Sequence, residues 1–343
     1  MNPLFPVFWQ TATGANRSGY INPQGHLQVE LPYLRVGPSS DGFAFYTDGI
    51  RWSKGILWGI MLENGDSVVC PRFTSHQSFV DKLAVAAEND AGNFSFRFGY
   101  VDHGGSWRIK PQFLAAKSFS EGAAYAKSGV EADLWSLYDA KGHLLADHLS
   151  LGGGYLREGL AQAYVPMSRQ CGFVDITGDW KIPARFTCVS DFSEGLAAAW
   201  LGKPGKELLS YIDRTGATII EPSVYLSCEN GFAEGLACVY RPIGRKGDVL
   251  AGYIDRSGGE VIPCRWGLGA PFSEGLAAVK DIKSGLWGYI DTKGEIVIQP
   301  KYGAAAAFSG GLARVRVLRQ IGPEDYINTA GEIVWKSGTK PEH

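Results

Sequence analysis

Carboxylates recur along this chain more regularly than any other group that could do chemistry. Asp102, Asp139, Asp175, Asp213, Asp255 and Asp291 return at near-constant spacing, and Glu121, Glu158, Glu194, Glu234 and Glu274 return between them. Two carboxylates can act as acid and base in glycoside hydrolysis, but such chemistry needs one pair placed once at a defined separation. A carboxylate required in every copy of a pattern is expected instead to cap a turn or bond a backbone group. Recurrence therefore points away from catalysis, and no enzyme activity is expected. A closed ring would keep one exception open, with the acids facing a central channel.

The remaining candidates are sparse. The histidines His26, His76, His103, His143, His148 and His343 occupy non-equivalent positions, so no metal site is expected. Six cysteines, Cys70, Cys171, Cys188, Cys228, Cys238 and Cys264, form no C-x-x-C pair and read as reduced fillers. Neither a G-x-S-x-G elbow nor a phosphate-binding glycine loop is present, and no cofactor is expected. The formal charge of −2 gives no case for nucleic acid. MNPLFPVFWQTATG has neither a basic start nor a long apolar run, and no later run could span a bilayer, so a cytoplasmic protein without membrane contact is expected.

The elements that carry the acids follow from a repeating hairpin. In LWGYIDTKGEIVIQPKY, residues 286–302, two aromatic and β-branched runs flank a turn through Thr292, Lys293 and Gly294. Asp291 can bond backbone N–H groups of that turn, and glycine permits positive φ there. Alternation puts Trp287 and Tyr289 on one face, Gly288 and Ile290 on the other, and Ile296 with Ile298; Pro300 is expected to end the second strand. Aligned on the turn glycine, equivalent hairpins centre on Gly25, Gly65, Gly105, Gly142, Gly178, Gly216, Gly258, Gly294 and Gly331, at intervals of 36 to 42 residues. Such a period is the signature of a stacked array or a propeller.

A second block returns between hairpins, as in Glu274-Gly275-Leu276-Ala277. Its alanine is constant at Ala44, Ala84, Ala124, Ala161, Ala197, Ala237, Ala277 and Ala313. Alanine is not a favoured strand residue, so a position that never enlarges suggests close packing on a neighbour. The same logic applies to the small residue before the hairpin aromatic, as at Gly252 and Gly288. Each repeat thus reads as three strands, one from the Gly-Leu-Ala block and two from the hairpin.

Trp-Gly-Tyr-Ile-Asp-x-x-Gly-x-Ile-Val-Ile-x-Pro-x-Tyr, preceded by Phe-Ser-Glu-Gly-Leu-Ala, resembles the bacterial WG (or KWG) repeat, and the repeated positions cover almost the whole chain. Residues 1–165 carry eroded copies, with Met61 and Leu62 in place of Ile-Asp and Lys82 in place of glycine, whereas residues 166–335 match well. The resemblance implies an all-β repeat scaffold that acts as an interaction module, with no shared catalytic residues.

The expected architecture is one all-β array over residues 1–335, of about nine three-stranded units in an open solenoid-like superhelix, with a closed propeller-like ring as the alternative. Residues 336–343 are expected to form a loose tail. Ala197, Ala237, Ala277, Gly252, Gly288, Asp255 and Asp291 are expected to hold the array together. The expected function is protein binding, as an adaptor or an immunity-type inhibitor; the alternative is a carbohydrate-binding or carbohydrate-active protein using its many tryptophans and tyrosines. Insertions in repeat proteins collect on one face, often the binding face. The connections between the Gly-Leu-Ala strand and the hairpin differ most, and there Arg51, Trp52, Trp200, Arg241, Arg245 and Lys246 are the expected contact residues, tryptophan and arginine being frequent interface anchors.

Overall fold

A computed structural model describes residues 3–51, 55–88, 96–129, 135–150, 154–165, 167–202, 207–223, 225, 231–244, 248–317 and 324–342. Every regular element among them is a β-strand, and all strand pairing within the sheets is antiparallel. The eighth repeat gives the pattern. Leu276–Lys280, the alanine strand, pairs with Trp287–Asp291, the aromatic strand, which pairs in turn with the return strand beginning at Ile296.

The sequence pattern omits a fourth, lead strand. It is only two residues long, too short to show alternation, and it pairs with the far end of the alanine strand. Examples are Arg35–Val36, Ser75–His76, Ala115–Ala116, Cys188–Val189 and Leu268–Gly269. Four-stranded sheets therefore replace the expected three-stranded units at the first four of these, and Leu268–Gly269 opens a seven-stranded sheet that also takes in the ninth repeat.

Two further expectations give way. Pro300 does not end its strand, which runs from Ile296 to Ala305 and ends by pairing with the ninth repeat. Pro300 is accommodated because the return strand bulges there. Trp287 pairs with Tyr302 and Tyr289 with Ile298, so two steps on one strand face four on the other. The same bulge recurs opposite Gly59, Gly99, Gly172 and Gly252. A further slip after the turn, where Ile290 pairs with Ile296, leaves Ile296 exposed while Ile298 is buried, so these two residues do not share an environment.

The chain divides into two compact units. The first comprises Met1–Gly159, Ile176–Asp179 and Ser337–His343; the second comprises Leu160–Asp175 and Trp180–Lys336. Each has its core between successive sheets. In the second, Ala277 packs with Tyr253 and Ile262 of the preceding repeat, and Ala313 packs with Tyr289 and Ile298. Ala197 meets Phe173 and Ile182, and Ala237 meets Tyr211 and Ile220. In the first, Ala124 meets Tyr100 and Ile109. The aromatic strand is buried on both faces, because Tyr289 contributes to one inter-sheet core and Ile290 to the one before it. Alanine is small enough to let successive sheets approach closely.

Gly288 answers to a different constraint. A Cβ there would lie 2.4 Å from the Ile298 carbonyl oxygen and 2.7 Å from the Pro300 nitrogen, both in its own repeat. Gly252 is crowded in the same way by Ile262 O and Cys264 N, each 2.7 Å away. At Gly288 and Gly252 the nearest atoms belong to the bulge within the sheet, and not to the neighbouring repeat. Ser210 takes this place where the bulge is one residue shorter, and its hydroxyl donates to Ala199 O at 2.9 Å.

The segment after the ninth hairpin is not loose. Gly338 forms a parallel bridge with Trp9, the Leu27 N–H donates to Glu342 O at 2.7 Å, and Lys340 pairs with Glu30 at 3.1 Å.

Candidate functional site

The hairpin aspartates are spent on their own turns. Asp291 Oδ1 accepts from Lys293 N and Glu295 N, both at 2.9 Å. Asp213 and Asp255 do the same with Thr215 and Ala217 and with Ser257 and Gly259. Asn22 and Asn328 replace aspartate in the outermost repeats and make equivalent bonds, so the turn requires the oxygen and not its charge. The Ser257 hydroxyl, followed by the turn N–H groups, holds the Asp255 carboxyl below the ordinary carboxylate range, and the Thr215 hydroxyl does so for Asp213.

The glutamates bond between repeats. Glu121, Glu158, Glu194, Glu234 and Glu274 all have φ near +54°, so each sits in a left-handed turn that costs backbone energy. The Glu121 carboxylate accepts from Glu158 N and Gly159 N, both at 2.8 Å. Glu194 accepts from Gly235 N, Glu234 from Gly275 N and Glu274 from Gly311 N, at 2.9 to 3.0 Å. The carboxylates of Glu121, Glu194, Glu234 and Glu274 thus satisfy amide donors in the next repeat's tight turn.

Three more repeated side chains make the same step. Ser120, Ser193 and Ser273 donate to Leu156 O, Phe232 O and Phe308 O. Tyr100, Tyr253 and Tyr289 donate to the carbonyls of Lys117, Ala270 and Ala306, and burial holds each phenol far above its ordinary pKa. Arg185 and Arg265 donate to the turn carbonyls of Gly216 and Gly294. The acid pattern that could have suggested chemistry is therefore a ladder binding one sheet to the next.

Of the six expected contact residues, only Trp200 and Arg241 have described side chains. Trp52, Arg245 and Lys246 lie outside the described residues; Arg51 is in a two-residue strand, Ile50–Arg51, whose side chains are not described. Trp200 pairs with Cys188 and Leu209, and its side chain packs on the core that includes Tyr225, Phe232 and Val239. Arg241 belongs to strand Leu236–Ile243. It is ion-paired with Glu260, donates to the Tyr225 hydroxyl at 3.2 Å and lies over that ring. Glu260 lies on the return strand Glu260–Trp266, beyond the aromatic strand Asp248–Asp255, and its charge meets that of Arg241 across it.

Sequence reasoning missed the outward face of the return strands. Val68, Leu144, Trp180, Ile219, Val261, Val297 and Ile333 are each more than 40% exposed. They occupy the opening positions of return strands, and in most sheets the return strand is outermost. The available signal was the apolar residue immediately before the buried isoleucine, as in Ile219-Ile220, Val261-Ile262 and Val297-Ile298, which breaks strict alternation. In the first compact unit, Val68, Cys70, Arg72, Gly105 and Trp107 line an open groove of about 650 Å³. The Arg72 guanidinium in this groove is already engaged, by Glu88 at 3.1 Å and by the Gly105 carbonyl.

No curated protein matches the chain. Similar solved structures include a eukaryotic initiation factor, 11% identical over 86% of this chain and 95% of that one, with a TM-score of 0.46. They also include the β-propeller domain of the Trilobed protease from Pyrococcus furiosus, 8% identical over 89% of this chain and 95% of that one, with a TM-score of 0.45. The tricorn protease is 11% identical over 91% of this chain and 37% of its own, with a TM-score of 0.28. The WG containing repeat matches residues 98–129, 172–199, 252–281 and 287–317, each match beginning in the aromatic strand of a repeat. With four matches in phase with its hairpins, the chain carries WG repeats between residues 98 and 317.

Proposed function

We propose that this β-repeat scaffold is a non-enzymatic protein-binding module. The observation that carries the reading is the fate of the repeated polar groups. The hairpin aspartates close their own turns, and the glutamates, serines, tyrosines and arginines described above bond the next repeat. Groups committed to backbone partners in copy after copy hold a scaffold together; selectivity then falls to what differs on its surface. The apolar outer positions Trp180, Ile219, Val261 and Val297 of consecutive repeats supply contact area of the kind that marks interaction surfaces. The connecting residues Arg51, Trp52, Arg245 and Lys246 would add selectivity, with Trp200 and Arg241 contributing their exposed parts. A cytoplasmic location belongs to the same proposal, motivated by free thiols at Cys70, Cys171, Cys188, Cys238 and Cys264.

The test is affinity capture with the chain and a variant carrying Ile219→Lys, Val261→Lys and Val297→Lys. These side chains are already exposed, so the variant should melt with the parent and lose partners that the parent retains. Loss through Arg245→Ala and Lys246→Ala alone would move the contact surface to the connecting segments. Trp180 is also an exposed indole that could stack on a sugar face, and specific binding on a glycan array without protein capture would replace this reading by the carbohydrate one.

A further inference from the structure

One pair in the first compact unit departs from the ladder that joins successive repeats. Asp41 stands in the second repeat where Glu121, Glu194, Glu234 and Glu274 stand in others, and it shares their left-handed φ. Its side chain is one methylene shorter, and among the described residues it accepts no amide of the third repeat's tight turn. What faces it is the imidazole of His103, with Nε2 3.8 Å from Asp41 Oδ2. His103 follows the hairpin aspartate Asp102 of the third repeat, the place that Arg256 holds after Asp255 in the seventh.

The correspondence extends to both neighbours. Arg256 and Glu194 are 62 residues apart, as are His103 and Asp41. Arg256 lies over the Phe232 ring at 5.9 Å, and His103 meets the equivalent Phe79 edge-on at 4.7 Å. Arg256 donates to Glu194 O at 2.6 Å and stands 3.7 Å from that carboxylate. An arginine is charged at any working pH, whereas a histidine is charged only in acid. The His103 ring stacks on Phe43 at 4.0 Å, and its Nε2 is buried without a hydrogen-bond partner, because 3.8 Å is too long for one.

We propose that His103 is a proton-dependent staple between the second and third repeats, which on protonation takes up with Asp41 and Phe79 the ion-pair and ring contacts that Arg256 makes with Glu194 and Phe232 at any pH. The charged groups facing the imidazole are Asp41 from the second repeat's tight turn, Asp102 from its own hairpin and Lys82 from the third repeat's tight turn. Burial lowers the His103 pKa most; Asp41 and Asp102 oppose it, and Lys82 adds to it. Asp102 is already engaged by Ser106 N and by Arg108 at 3.7 Å, so Asp41 is the carboxylate left to receive the charge. The folded value lies below 6.5, so the stability that goes with the neutral ring is whole above about pH 6.5 and is lost as pH falls through the folded value. Asp41 offsets part of that loss, because its pairing grows over the same interval.

The experiment uses the full chain as parent, Asp41→Asn, His103→Arg and the double variant; asparagine tolerates the left-handed φ of position 41. His103 is titrated by NMR in the parent and in Asp41→Asn. Hydrogen exchange is followed at the Phe43 amide, which donates to Ser40 O at 3.0 Å across the turn that bears Asp41, at pH 7.5 and at one pH unit below the value found for His103. The His103 pKa should lie below 6.5 in the parent and lower still in Asp41→Asn. In the parent background Asp41→Asn should leave Phe43 exchange unchanged at pH 7.5 and speed it about two- to fivefold in acid. In the His103→Arg background it should speed exchange at both pH values. If His103→Arg does not fold, the parent and Asp41→Asn carry the test. A His103 pKa indifferent to Asp41→Asn, or an exchange effect in the parent background that is the same at both pH values, overturns the proposal.

Discussion

Acidification should destabilise the first compact unit through one histidine. His76 belongs to a lead strand and lies face to face with Phe45, ring centroids 4.1 Å apart, and edge-on to Trp58 at 4.5 Å. Burial among these rings lowers its pKa from 6.5 to about 4, a backbone bond at Gln77 opposing the shift only in part. The folded value lies below the unfolded one, so the unfolded chain takes up the proton first as pH falls. The contribution to stability is therefore whole above about pH 6.5 and is lost as pH descends through about 4. Integrating between the two values gives a loss of about 2 kcal/mol by pH 5 and about 3 kcal/mol by pH 4. The assay is urea unfolding of the parent and His76→Gln at pH 7.5 and pH 5.0. Glutamine has no charge to gain, and the other titrating groups, including His103 whose pKa is also lowered by burial, are common to both chains and cancel. The parent should lose about 2 kcal/mol more than the variant over this range. A stability difference between the two chains that does not change with pH, or an NMR titration placing His76 near 6.5, would refute the argument.

Enlarging Ala277 to leucine should cost about 1 to 3 kcal/mol by overpacking against Tyr253 and Ile262, read as a fall in the urea midpoint of the second compact unit. Gly288→Ala should also destabilise by a few kcal/mol, since its Cβ would meet the Ile298 carbonyl at 2.4 Å and backbone must move; an unshifted midpoint would show that the bulge relaxes freely. Glu274→Ala leaves the turn amide of Gly311 without its acceptor and should cost about 1 kcal/mol, water replacing part of the bond, with faster exchange of that amide as the local readout. Asp255→Asn should keep the turn, as Asn22 and Asn328 do, and remove one source of acid sensitivity. The Asp255 carboxyl titrates below its unfolded value, so its contribution is present above about pH 4 and lost below it, and the variant's melting temperature should fall less steeply from pH 5 to pH 3.

The period of the hairpins, the type of each strand, the turn-capping aspartates and the invariant alanine were all legible in the sequence, because each depends on chemistry within a few residues or on repetition itself. Asp-x-x-Gly folds one turn wherever it stands, and a residue that stays small in eight copies marks a packing limit without any coordinates. What the tertiary structure decided lies in pairings between distant segments. The two-residue lead strands have no pattern of their own and exist only because the alanine strand offers an edge. Pro300 reads as a strand end until the bulge opposite Gly288 gives its missing N–H a place. Glu274 and Gly311 are 37 residues apart, and only the stacking of sheets turns a repeated acid into an inter-repeat bond. Arg241 looked like a free cation because its nearest acid in space, Glu260, is 19 residues away on another strand. The same holds for residues 337–342, polar and patternless in sequence, whose order comes from a strand edge more than 300 residues earlier in the chain.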